Sequence, residues 1–98
     1  MPVYVDSARA PLGQMLMCHM IADTHAELMA MASKVGVNHK HIQMEGTYRE
    51  HFDICQSKRI KAILAGAVQV TQLELGKMLA ARHRLAQAAQ QVRRPATL

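Results

Sequence analysis

The sequence predicts a single layer-packed α/β domain, with a small, mostly parallel sheet and about three helices. Short β-rich runs alternate with helical stretches. Two helix starts carry the same capping signature, Thr24-His25-Ala26-Glu27 and Thr71-Gln72-Leu73-Glu74, in which the Thr and the Glu satisfy each other's free backbone donors. Gly36 and Gly66 stand where two of the helical patterns stop.

The chain opens on Val3-Tyr4-Val5, a β-rich run ending at Asp6. Residues 7–14 hold Pro11 and Gly13 and read as a loop. Met15–Ala22 is apolar without helical phase. As a strand it sets Met15, Met17, His19 and Ile21 on one face. The first helix carries Leu28, Met31, Ala32 and Val35 at helical spacing. Loops around a short strand at His41–Met44 fit residues 37–50. Alternation makes His51–Cys55 a strand, with Phe52 and Ile54 on one side and His51, Asp53 and Cys55 on the other. Ser57 can cap a second helix carrying Ile60, Ile63 and Leu64. Ala67–Val70 is the next strand, and a longer helix follows with Leu75, Met78, Leu79, Arg82, Ala86 and Ala89 along one side. The domain is placed at residues 1–92, with 93–98 a frayed basic tail marked by Pro95. Strands joined through helices are expected to be parallel neighbours linked by right-handed crossovers.

Composition sets limits. Ninety-eight residues support one core, and half are hydrophobic. There are eight Met, no Trp and 3% aromatic residues, so the core is aliphatic and adaptable. No apolar run approaches a membrane span, and the N-terminus has no export pattern. Two cysteines, Cys18 and Cys55, are too few for a disulfide scaffold, so a cytoplasmic setting is expected. The net charge of +5 comes from the far end: no acid follows Glu74, whereas Lys77, Arg82, Arg84, Arg93 and Arg94 do. With Arg82 on the apolar side and no aromatic interleaving, these cations read as a solvated helix surface ahead of a nucleic-acid stripe.

Each predicted strand ends near a polar residue, and ligands of open α/β sheets bind outside the strands' carboxyl ends. Asp6, Asp23 and Asp53 at one edge would suit a divalent cation such as Mg²⁺ or Mn²⁺, although Asp after a strand is also an ordinary turn and capping residue. His51 and Asp53 share a strand face about 7 Å apart, with room for a third group such as Asp6. A carboxylate there fixes the imidazole's tautomer, giving a general base or a ligand with its support; a structural hydrogen bond is the plainer alternative. On a strand, His19 and Asp23 stand about 13 Å apart and do not share a metal. Cys18 and His19 face opposite sides. His39-Lys40-His41 reads as surface. Ser57-Lys58-Arg59 at a helix start, with Arg9 approaching from the first loop, makes an anion site, because free N–H groups and the positive dipole end meet added cations there. The same cations can simply solubilise the helix.

In order, Val3-Tyr4-Val5-Asp6, Cys18-His19-Met20-Ile21-Ala22-Asp23, Glu27-Leu28, Met31-Ala32, His51-Phe52-Asp53-Ile54, Ser57-Lys58-Arg59 and Gly66-Ala67-Val68 resemble a small bacterial and phage family known as domain of unknown function 4031. The resemblance covers about residues 3–80. Phe52 fits the aromatic that the family sets between the His and Asp of His-x-Asp. Arg9-Ala10-Pro11 and Ser57-Lys58-Arg59 look more like its phage-associated members, and Glu45–Glu50 resembles an insertion. The family implies no established activity.

The leading expectation is a small cytoplasmic protein that binds a phosphate-bearing ligand, such as a nucleotide or nucleic-acid end. Arg9, Ser57, Lys58 and Arg59 would hold it in a cleft lined by Asp6, His19, His51 and Asp53. A second reading is a metal-dependent phosphoesterase or nuclease, with Asp6 and Asp53 on the metal and His51 and Asp53 carrying the chemistry. A third is a homo-oligomeric or host-protein interaction module built on the Met-rich surface and the long last helix.

Overall fold

The computed structural model describes residues 2–93. Its elements are β1 (Val3–Val5), β2 (Ala10–Leu12), β3 (Met15–Ala22), α1 (His25–Val35), a 3₁₀ turn at His39–His41, β4 (Phe52–Cys55), α2 (Gln56–Leu64), β5 (Val68–Gln69) and α3 (Gln72–Arg93). The expected tail lies, from Arg94 onward, outside the described residues.

The domain is mixed α/β with three helices and one five-stranded sheet, but the sheet is mostly antiparallel, which corrects the mostly parallel expectation. β3 is its spine. One edge of β3 pairs antiparallel with β1 (Val5 opposite Met20) and with β2 (Ala10 opposite Met17). Its other edge pairs antiparallel with β4 (His19 opposite Asp53). The one parallel pair among the described residues joins β1 to β5 (Tyr4 opposite Val68).

The difference begins at residues 10–12. They form a strand rather than a loop, because Gly13, at φ 60°, lets the chain turn tightly back into β3. Pro11 is tolerated on a strand at the sheet edge, where the missing donor matters least. The expected strand at His41–Met44 is instead the 3₁₀ turn followed by an isolated bridge between Gln43 and His51.

The helices form where their caps stand. Thr24 has extended dihedrals, and its Oγ1 accepts from the Glu27 N–H at 3.2 Å. Gly36 closes α1 in the left-handed conformation at φ 80° and donates back to the carbonyls of Ala32 and Ser33. Ahead of α3 the Glu74 N–H likewise donates to Thr71 Oγ1 at 3.0 Å, and the Glu74 carboxylate accepts from the Thr71 backbone N–H at 2.8 Å, whereas at α1 the Glu27 carboxylate accepts from the Thr24 hydroxyl. Cys55, rather than Ser57, holds the cap position of α2.

Alternation along the strands sorts the sheet into two faces. Val3, Val5, Cys18, Met20, Ala22, Phe52 and Ile54 are buried against Leu28, Met31, Ala32 and Val35 of α1 and Ala62 of α2. The opposite face carries Met17, His19, Ile21, His51, Asp53 and Cys55. The start of α3 covers one end of it, and there Ile21 and Leu75 are buried. Arg82 fixes the helix by donating to the Ala22 carbonyl at 2.6 Å, with Asp23 3.7 Å away. That explains a cation on the apolar side of α3.

Candidate functional site

The opposite face gathers four titratable side chains through strand register alone. Between the β1 and β2 pairings, Asp6–Arg9 oppose only Cys18 and His19, so the strand bulges by two residues. Asp6 is fully buried in the bulge. Its Oδ1 accepts from the backbone N–H of His19 at 2.8 Å and of Ala8 at 3.2 Å, replacing the ladder partner that His19 lacks. Its Oδ2 meets Nδ1 of the His19 ring at 2.7 Å.

Across β3, Asp53 is the register partner of His19. Asp53 Oδ2 accepts from Gln43 Nε2 at 2.6 Å. Asp53 Oδ1 is buried and has no hydrogen-bond partner. It faces His51 Nε2 at 3.4 Å and His19 Nε2 at 3.8 Å. The His51 Nδ1 lies 2.7 Å from the Arg49 carbonyl, which can only accept, so Nδ1 carries the proton. The two rings stand edge to face, 5.7 Å between centroids. Among the described residues, no three His, Cys, Asp or Glu side chains stand close enough as placed to hold a metal ion.

The cluster opens into a cleft of about 350 Å³ between the sheet and α3. Asp6, His19, Ile21, Arg49 and His51 line one side, and Gln72, Leu75, Gly76 and Leu79 the other. A smaller hollow of about 170 Å³ lies beyond His19 and Asp53, toward Pro11 and Met17.

The other expected site residues go elsewhere. Ser57 turns back to the Cys55 thiol at 3.2 Å. Lys58 lies against the end of α1, so near that a Cβ on Gly36 would stand 3.0 Å from its Nζ. There its charge complements the helix's negative end. Arg59 donates to the Asp6 carbonyl at 2.8 Å and reaches Gln69 at 3.5 Å, tying the end of β1 to β5. The three side chains do not converge on one anion. Arg9 is exposed in the bulge. Asp23 follows β3 at the far end of the antiparallel sheet, where its N–H bonds Pro2, so the three carboxylates do not share an edge. His39 bonds Ser33 at 2.8 Å on the surface.

No local sequence pattern marks Gln43 or Arg49 as site residues. The pairing of Asp6 with His19 depends on the hairpin, which is not local to either residue. The readable signal was Gly13 between two short β-capable runs.

The two thiols differ sharply. Burial pushes Cys18 up to about 11. Cys55 is lowered, first by the Ser57 hydroxyl and then by the Lys58 backbone N–H at the start of α2. Brief iodoacetamide treatment of the native protein at neutral pH is expected to give one adduct, on Cys55, by peptide mass spectrometry. Labelling of Cys18 before denaturation would contradict this.

The fold and the cluster together define a small α/β protein with a His–Asp cleft beneath its last helix. The chain belongs to the DUF4031 family, described as a protein of unknown function, whose model matches residues 3–82. No curated protein matches the chain. No solved structure matches it either. Among the described residues, no helix is long and apolar enough to cross a membrane.

Proposed function

We propose that the protein binds a phosphate-bearing ligand, a nucleotide or a nucleic-acid end, in the cleft between the sheet and α3. The observation that carries this reading is the lining of that cleft: Arg49 on one side and Gln72 of the first turn of α3 on the other border one opening. A guanidinium offers paired donors to phosphate oxygens, and a helix's first turns add a positive dipole end. Leu75 and Leu79 give the same opening an apolar side suited to a base or sugar face. The anion-binding role thus passes from Ser57, Lys58 and Arg59 to Arg49, while His19 and His51 keep their place in the cleft.

The test is calorimetric titration with nucleoside mono-, di- and triphosphates and short 5′-phosphorylated oligonucleotides, with and without divalent cations. Binding of at least one member is expected. Arg49→Ala should weaken it about 10- to 100-fold, the range for hydrogen bonds to charged groups. Failure of every ligand, or an Arg49→Ala variant that binds equally well, would remove this reading. Turnover of the bound ligand during the titration would favour the phosphoesterase reading.

A further inference from the structure

We propose that His19 Nε2, His51 Nε2 and Asp53 Oδ1 form a binding site for one divalent transition-metal ion of the zinc type. This rests on the reading above only for its location, at the edge of the same cleft.

The argument starts from lone pairs. The Nδ1 of each imidazole faces an acceptor, the Asp6 carboxylate for His19 and the Arg49 carbonyl for His51, so each ring is oriented with Nδ1 as the donor. Both Nε2 atoms then present lone pairs, and they present them to Asp53 Oδ1, a buried carboxylate oxygen with no hydrogen-bond partner. Three acceptors converge with no donor between them. A buried carboxylate oxygen left in this state calls for a cation.

The spacing is close to what an ion needs. With metal–ligand bonds near 2.0–2.1 Å in tetrahedral geometry, neighbouring ligand atoms stand about 3.3 Å apart. The His51–Asp53 pair is at 3.4 Å and the His19–Asp53 pair at 3.8 Å. The His19–Asp53 pair must draw in for an ion to sit between them, and the side chains as placed do not yet close on a point. The surroundings follow the pattern of metal sites, in which each ligand is oriented by a further partner: Asp6 on His19, the Arg49 carbonyl on His51, and Gln43 on Asp53. Asp6, with its oxygens taken by two backbone N–H groups and the His19 ring, supports a ligand and is not one. Two imidazoles and one carboxylate favour zinc-like ions over Mg²⁺ or Ca²⁺, which prefer all-oxygen shells. Three protein ligands leave a fourth position for water or a ligand oxygen.

The experiment is titration of chelator-stripped full-length protein with Zn²⁺ by calorimetry, and with Co²⁺ by visible absorption. One equivalent should bind, and Co²⁺ should give the intense bands of a four-coordinate nitrogen–oxygen site. His51→Ala and Asp53→Ala, checked for native circular dichroism, should each abolish the bands. Asp6→Asn turns an N–H₂ toward the His19 ring and reverses its tautomer, so it should weaken Zn²⁺ binding about 10- to 100-fold. His25→Ala and His39→Ala, on the surface, should change nothing. Absence of binding, or binding that survives both His51→Ala and Asp53→Ala, would overturn the proposal. Metal bound with no nucleotide affinity sustains the site and removes the ligand reading. Nucleotide affinity in stripped protein that takes up no metal does the reverse.

Discussion

Replacing Asp6 with Ala is expected to destabilise the protein by about 3–5 kcal/mol, the range for removing one member of a buried, hydrogen-bonded polar group. Asp6 is the single buried polar or charged residue among the described residues. Its carboxylate serves the backbone N–H of His19 and of Ala8 and the His19 ring, and its own N–H donates to the His19 carbonyl at 3.1 Å. Alanine keeps that last bond and takes the acceptor from the other three groups, of which the Ala8 N–H is buried and the two on His19 are part-buried. Asn retains one oxygen for the backbone donors and should cost less, about 1–2 kcal/mol. Urea unfolding followed by circular dichroism measures both. An Asp6→Ala midpoint indistinguishable from the parent would show that the bulge does not depend on the carboxylate.

Phe52→Ala should cost about as much, roughly 3–5 kcal/mol, for a different reason. Phe52 is the chain's one phenylalanine and is completely buried. It belongs to the cluster that joins the sheet to α1 and α2. Its loss combines forfeited burial with a cavity that aliphatic neighbours fill only in part. Flexible Met20 and Met31 nearby can repack better than branched residues, which pulls the cost toward the lower end. A loss below about 1 kcal/mol would mean that the core collapses around the gap.

What could be read in advance divides along a physical line. Helix starts are local chemistry: Thr24 with Glu27 and Thr71 with Glu74 each settle their helix within four residues, and both helices begin there. The two faces of β4 were equally legible from His51-Phe52-Asp53-Ile54-Cys55, since period-two alternation needs no partner. Strand partnership is not local. β4, α2 and β5 do form a strand–helix–strand unit whose strands run in the same direction, but β3 and β1 lie between them, so they are not neighbours. The hairpin of residues 10–17 reversed β3, and the long segment from Gly36 to His51 gave the chain room to bring β4 back antiparallel.

The candidate site shows the same division. His51 and Asp53 were found as a pair because they sit on one strand. His19 was placed in the cleft, but its bond to Asp6 joins positions 13 apart in sequence through a bulge that no propensity announces. Lys58 and Arg59 resemble an anion site only when the helix start is taken alone. In the folded chain each is claimed by a neighbouring element, the end of α1 for Lys58 and the junction of β1 with β5 for Arg59.

The two-residue bulge at Asp6 makes one side chain answer for both the alignment of the first two strands and the aim of the His19 ring. Most replacements there remove both at once. A library of variants selected first for soluble expression should therefore be depleted at Asp6 yet remain rich at His51 and Asp53, whose side chains occupy the open face and hold no strand in place.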